Sequence, residues 1–196
     1  MTKTRKIAWI GMLSAFAFVL MLLEFPMAFV IPDFIKMDFS EVPALIASFA
    51  MGPVAGVLVC LIKNLIHLII TSTGGVGELS NFLLGASFAF TAGMIYKNKK
   101  GIKSALIASL AGAAAMAIVS FPVNLYITYP FYSKLMPIDA IIGAYGAIWK
   151  GIDSLWEALL YVSTPFNFIF KGLGNSALTF LVYKRISPLI KRLNSR

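Results

Sequence analysis

The chain has 196 residues, 59% of them hydrophobic and only 13% charged, with a mean hydropathy of +0.86. A soluble domain needs about a quarter of its residues charged to build a polar shell, so this composition excludes that class and points to an integral membrane protein. The net charge of +9 sits in short segments between apolar runs, which fits anionic lipid and argues against nucleic acid.

The apolar runs predict an all-α membrane protein, a six-helix bundle forming one domain over residues 1–196. Its spans are roughly Ile7–Leu23, Val42–Met51, Val54–Ile70, Leu79–Tyr96, Lys103–Ile127 and Leu159–Tyr183. The first follows a positive segment, as a signal peptide would, but has no small-residue cleavage site before Glu24 and is read as retained. On it Gly11 and Ala15 make a small-xxx-small pair, with Ala8 and Ser14 nearby, which lets another helix approach closely. A long outer loop, Glu24 to Glu41, leads to the second run. That run spans roughly 15 Å at helical rise, too little to cross ~30 Å of hydrocarbon alone, so it either begins near Asp38 or crosses in part. Gly52-Pro53 ends one helix and starts another, because proline suits a first turn and not an interior. Thr71 to Gly75 is the next outer connection and Lys97 to Gly101 the inner one. A second long outer segment runs from Thr128 to about Glu157, and both long segments are candidates for a lid. No internal repeat is evident, which weakens a carrier built from inverted halves.

Charge orients the bundle. With a cytoplasmic N-terminus, Lys3, Arg5, Lys6, Lys97, Lys99, Lys100, Lys103, Lys184, Arg185, Lys191, Arg192 and Arg196 lie inside, twelve of the seventeen basic residues. All eight acids, Glu24, Asp33, Asp38, Glu41, Glu78, Asp139, Asp153 and Glu157, fall on or near the other face. The Lys/Arg bias sets orientation in the plasma membrane, with both termini cytoplasmic.

No catalytic signature is present. The chain lacks a Walker A loop, a GxSxG elbow, a HExxH helix and a dinucleotide fingerprint. Cys60 is the only cysteine, so neither a disulfide framework nor a thiolate metal site is expected. His67, the only histidine, would need Ser87 or Ser120 as an intramembrane nucleophile, and neither sits in a glycine-flanked oxyanion turn. The plainer expectation is a hydrogen bond within the bundle.

The informative polar residues are those forced into hydrocarbon, where an unpartnered group costs several kcal/mol. Asn167 and Lys171 share a face of the last span in its outer half. Asn81 lies near the outer end of the fourth span, Asn124 reaches the same level on the fifth, and Asp38 and Phe39 arrive from the first loop. Four segments thus bring amide, ammonium and carboxylate groups to one depth. Each has a structural alternative: Asn81 as helix-end chemistry after Glu78, Asn124 as a partner for carbonyls freed by Pro122, Lys171 as a snorkelling group or a partner of Glu157. Lys63, Asn64 and His67 form a polar stripe on the third span, expected to be structural.

Several stretches together resemble a known family. They are the loop Lys36-Met37-Asp38-Phe39-Ser40-Glu41-Val42-Pro43-Ala44-Leu45, the turn Gly52-Pro53-Val54-Ala55-Gly56, the run Leu61-Ile62-Lys63-Asn64-Leu65, Gly77-Glu78-Leu79-Ser80-Asn81-Phe82, and Pro165-Phe166-Asn167 with Lys171-Gly172. With the small residues of the first span, these look like the riboflavin-specific S component of energy-coupling-factor (ECF) vitamin transporters. The resemblance covers nearly the whole chain. It implies a non-enzymatic subunit that captures riboflavin from outside under the first loop, as transported ligand rather than cofactor. It also implies a transmembrane coupling subunit and two cytoplasmic ATPases as partners. In the family, small residues of helix one dock the coupling subunit, typically as alanine-x-x-x-alanine; here Gly11 stands for the first alanine and Ala15 matches the second. Asn124, Asn167 and Lys171 match flavin-binding positions. Lys171 leaves phosphorylated flavin, FMN, as an alternative ligand, and an S component for thiamine or a pantothenate-like acid is the rival within transport. A membrane enzyme or a structural membrane subunit is the rival outside it.

Overall fold

The computed structural model describes residues 2–98 and 100–182. The expected cytoplasmic residues Lys99, Lys184, Arg185, Lys191, Arg192 and Arg196, and Tyr183 at the end of the last span, lie outside the described residues.

Helix α1 (Lys3–Leu22) leads into a short antiparallel ribbon, β1 (Phe25–Pro26) against β2 (Lys36–Met37). Then come α2 (Glu41–Met51), α3 (Pro53–His67) closed by a 3-10 turn over Leu68–Ile70, and α4 (Val76–Asn98). Helix α5 begins as Ile102–Val123 and continues without a break through wide π turns at Asn124–Thr128 to Tyr129–Tyr132. Helix α6 (Ile138–Ile148) follows, and α7 starts at Leu155–Glu157 and runs to residue 182. Four of these helices are long and apolar enough to cross a membrane: Lys3–Leu22, Pro53–Ile70, Val76–Asn98 and Ile102–Tyr132.

The short second span has a physical resolution. The chain dips into the bundle before α2 begins, so that Asp38 is only 4% exposed. From there the eleven residues of α2 supply roughly 16 Å of rise. They end at Gly52, whose φ of 96° suits glycine and breaks the helix. Pro53 opens α3 and lies against Gly93, four residues before Lys97; a Cβ on Gly93 would come within 2.7 Å of the proline backbone. The α2–α3 turn therefore sits near the basic end of α4. Small residues allow similar approaches elsewhere: a Cβ at Gly112 of α5 would stand 2.8 Å from the Phe88 carbonyl of α4. In hydrocarbon such close packing replaces the hydrophobic drive that holds soluble helices together.

The region 128–157 is not an open loop. Its first part prolongs α5, and α6 packs Ile141 and Tyr145 fully buried against Ile31, Tyr129 and Phe166. The Trp149 indole donates to the Val30 carbonyl at 2.8 Å, pinning the ribbon loop to the end of α6. The fifth span runs five residues beyond Ile127, to Tyr132, and Pro122 lies within it. A proline inside a helix removes one N–H, and the wide turn that follows absorbs the disruption. The last span likewise starts earlier than Leu159. Ser154 and Glu157 form a reciprocal capping box, with Glu157 Oε2 also accepting from the Asp153 amide at 2.9 Å, so Glu157 is occupied at the helix start and does not pair with Lys171.

Candidate functional site

A cavity of about 370 Å³ opens at the acidic end of the bundle. That lies within the roughly 300–1,000 Å³ range of small-molecule sites. Five of the six expected site residues line it: Asp38, Asn81, Asn124, Asn167 and Lys171. Phe39 does not. Neighbouring residues of an extended segment point to opposite sides, and the Phe39 ring instead packs on Phe25 at 6.2 Å between centroids and on the core.

Each polar wall residue is delivered by a local feature. Asn124 opens the π turn two residues after Pro122, and Asn167 opens another two residues after Pro165. Their carboxamides converge on Ser163. Asn124 Nδ2 donates to Ser163 Oγ at 3.1 Å, and Asn167 Nδ2 donates to the Ser163 carbonyl at 3.0 Å. Because a carbonyl only accepts, the Asn167 amide is fixed in orientation, with its oxygen left to accept and one N–H to donate. Pairing Asn124 with Ser163, rather than with carbonyls freed by Pro122, answers the structural alternative for that residue. Ser163, buried and also lining the cavity, was not anticipated; its four-residue spacing from Asn167 was the available signal.

Lys171 Nζ stands 3.8 Å from Asp38 Oδ2, with the two side chains 14% and 5% exposed. At that distance the pair is electrostatic rather than hydrogen-bonded, so the ammonium keeps its protons for another acceptor. Burial alone would raise the Asp38 carboxyl. The nearby charges of Lys171 and Lys63 and the hydrogen bonds from Ser40 outweigh it and hold the group below the usual carboxylate range.

The rim adds groups that were not among the expected site residues. Lys36 of β2 pairs with Glu24. His67 Nδ1 lies 2.8 Å from Glu78 Oε1, and Thr73 Oγ1 donates to Glu78 Oε2 at 2.9 Å. His67 thus bonds within the bundle, as expected, yet it also borders the cavity, whereas Lys63 and Asn64 do not. Ser80 and Thr128 bond one another across α4 and α5, and Tyr129, Tyr132, Phe34 and Ile35 supply apolar wall. Every carboxylate on the wall therefore has a partner that is itself on the wall: Glu24 pairs with Lys36, Asp38 faces Lys171, and Glu78 bonds to His67 and Thr73. Among the described residues no group of His, Cys, Asp and Glu is arranged to hold a metal.

The face of α1 that carries Gly11 and Ala15 points away from this site. Both residues are exposed, as are Ala8, Met12 and Phe16. A Cβ on Gly11 would meet nothing within 4 Å.

Comparison with known proteins places this architecture. The family model described as "ECF transporter, substrate-specific component" matches residues 5–183. The chain is 36% identical over 193 residues to the riboflavin transporter RibU of Staphylococcus aureus (strain TCH60), covering 98% of this chain and 96% of the relative. It is 34% identical over 196 residues to the riboflavin transporter FmnP of Bacillus subtilis (strain 168), covering 98% and 97%. A solved structure described as "Structure and mechanism of the S component of a bacterial ECF transporter" superimposes with a TM-score of 0.75 at 37% identity, over 97% of this chain and 99% of that one.

Proposed function

We infer, from the fact that this chain belongs to the substrate-specific components of ECF transporters, that it is the riboflavin-binding membrane subunit of such a transporter rather than an enzyme. The observation that carries the ligand assignment is that the ionisable groups of the cavity are already engaged with one another. Each of its three carboxylates is already engaged on the wall, Glu24 by Lys36, Asp38 by Lys171 and Glu78 by hydrogen bonds with His67 and Thr73. A cation such as thiamine finds no unengaged carboxylate there, and both wall ammoniums, Lys36 and Lys171, already face a carboxylate, so neither offers an unbalanced positive charge to an anion. What remains is apolar and aromatic surface with fixed amide, hydroxyl and ammonium donors and acceptors. That set suits a neutral ring with imide and carbonyl edges and a hydroxylated tail.

Riboflavin has that chemistry, and its phosphate FMN does not. Lys171, which from sequence alone left FMN open, already faces Asp38. Fluorescence titration of the purified protein is therefore expected to show riboflavin quenching at the lowest concentration, and FMN weaker by about tenfold or more, since 1.4 kcal/mol of unpaired phosphate burial suffices for that factor. Equal or tighter binding of FMN, or saturable binding of thiamine, would overturn the assignment.

The whole chain acts as one membrane domain of six crossings in the plasma membrane, both termini cytoplasmic, with the cavity and the loops around Asp38 and Asp139 outside. The grouping of Lys3, Arg5, Lys6, Lys97, Lys100 and Lys103 at one end of the bundle supports this. Cys60 is buried, so reporter cysteines at positions 36 and 134 read the topology with little background. Both should react with an impermeant maleimide in intact cells; reaction only after lysis would reverse the orientation.

With no nucleotide motif of its own, the chain takes energy from partners, a transmembrane coupling subunit and two cytoplasmic ATPases. The exposed Gly11 and Ala15 face of α1 is where the coupling subunit docks.

A further inference from the structure

Behind the cavity wall lies a second charged cluster that no ligand reaches. Lys63 of α3 is fully buried and Glu41 of α2 is 3% exposed; their ion pair closes at 2.6 Å. Cys60 Sγ donates to the other Glu41 oxygen at 3.3 Å. Gly85 of α4 lies so close that a Cβ there would fall 2.5 Å from the same carboxylate. None of Lys63, Glu41, Cys60 or Ser40 lines the cavity. A buried ion pair is poor value as stabilisation, because apolar residues of similar volume usually serve as well or better.

The connection outward suggests a different use. Lys63 Nζ also donates to Ser40 Oγ, and Ser40 donates to Asp38 Oδ1 through both its hydroxyl and its backbone amide. That engagement ties one oxygen of Asp38 inward and turns the other, Oδ2, to Lys171 and the cavity. Asn175 of α7 holds the Asp38 carbonyl at 3.2 Å and the Lys171 carbonyl at 2.8 Å, so the two backbones cannot drift apart.

Resting on the riboflavin reading above, we propose that Lys63 and Glu41 are positioning residues: through Ser40 they fix the rotamer of Asp38 and thereby the place of the Lys171 ammonium in the flavin site. With Lys63 gone, the Ser40 hydroxyl loses the cation that orients it toward Asp38, the hold on that oxygen falls mainly to the Ser40 amide, and the carboxylate turns further to Lys171 and draws its protons away from the ligand.

The test compares four proteins by riboflavin titration, each checked for folding by thermal unfolding in detergent. They are the wild type, the apolar replacement Lys63→Met/Glu41→Leu, Asp38→Asn, and all three changes combined. The apolar pair should fold and bind riboflavin about tenfold more weakly, the size of one lost charged hydrogen bond. Added to Asp38→Asn it should change nothing further, because the effect passes through Asp38. A merely structural role would lower affinity equally in both backgrounds, and that additivity, or wild-type affinity in the folded pair variant, overturns the proposal. Ser40→Ala, which removes the hydroxyl between Lys63 and Asp38 while keeping the ion pair and the backbone-amide bond, gives the same reading should the pair variant not fold. A wild-type protein that bound no riboflavin would instead refute the ligand assignment.

Discussion

Replacing Asn167 or Lys171 with alanine is expected to weaken riboflavin binding strongly while leaving the bundle intact. Removing one partner of a buried hydrogen bond costs about 1–3 kcal/mol, roughly 5- to 150-fold in Kd. Asn167 presents an amide whose orientation is fixed by the Ser163 carbonyl, so its alanine variant loses a preset acceptor and donor. Lys171→Ala should lie at the upper end. It removes a donor and also strips Asp38, 4% exposed, of its facing cation, leaving a buried carboxylate in the site. Flavin fluorescence quenching measures both. Unchanged quenching in the two variants would remove these residues from the site.

Bulk on the outer face of α1 should have the opposite profile, abolishing uptake and sparing binding. Gly11 is exposed with open space at its Cβ position, so Gly11→Leu adds volume where only a partner would meet it. Ala15→Trp does the same one turn further on. Met21, the α1 residue at the cavity, is ten residues beyond Gly11, roughly 15 Å along the helix, which separates the two effects. Close helix contacts of this kind in membranes depend on small side chains. Reconstituted with its coupling subunit and ATPases in liposomes, the wild type should accumulate riboflavin on ATP addition, and both variants should bind it without accumulating it. Accumulation against a gradient by this chain alone would sink the dependence on partners and favour an autonomous carrier.

The two outcomes together would assign capture to the cavity end of the bundle and partner docking to the outward face of α1 around Gly11 and Ala15. The capture end is layered. The ribbon loop rests on α6 through Ile31 and Trp149, and α6 rests on Tyr129 and Phe166. The cover over the cavity is thus a packed assembly of two segments that the chain keeps 119 positions apart, as the Trp149–Val30 bond records.

Membrane class and the long apolar helices were legible in the sequence, because hydrocarbon penalises any misplaced polar group by several kcal/mol. The same penalty drew attention to Asn81, Asn124, Asn167, Lys171 and Asp38, and these five line one cavity. What depended on side-chain direction and on partners distant in the chain was not legible. Phe39 turns into the core one residue from Asp38, Lys171 chooses Asp38 over Glu157, and Ser163 gathers both asparagines. The segment from Thr128 to Glu157 could equally have been a loose lid; its packing on Ile31 and Tyr129 decides that it is ordered helix. Composition and periodicity act through each residue's own transfer energy, whereas pairing is a property of two residues brought together by the fold, and the ion pairs that neutralise this cavity are of that second kind.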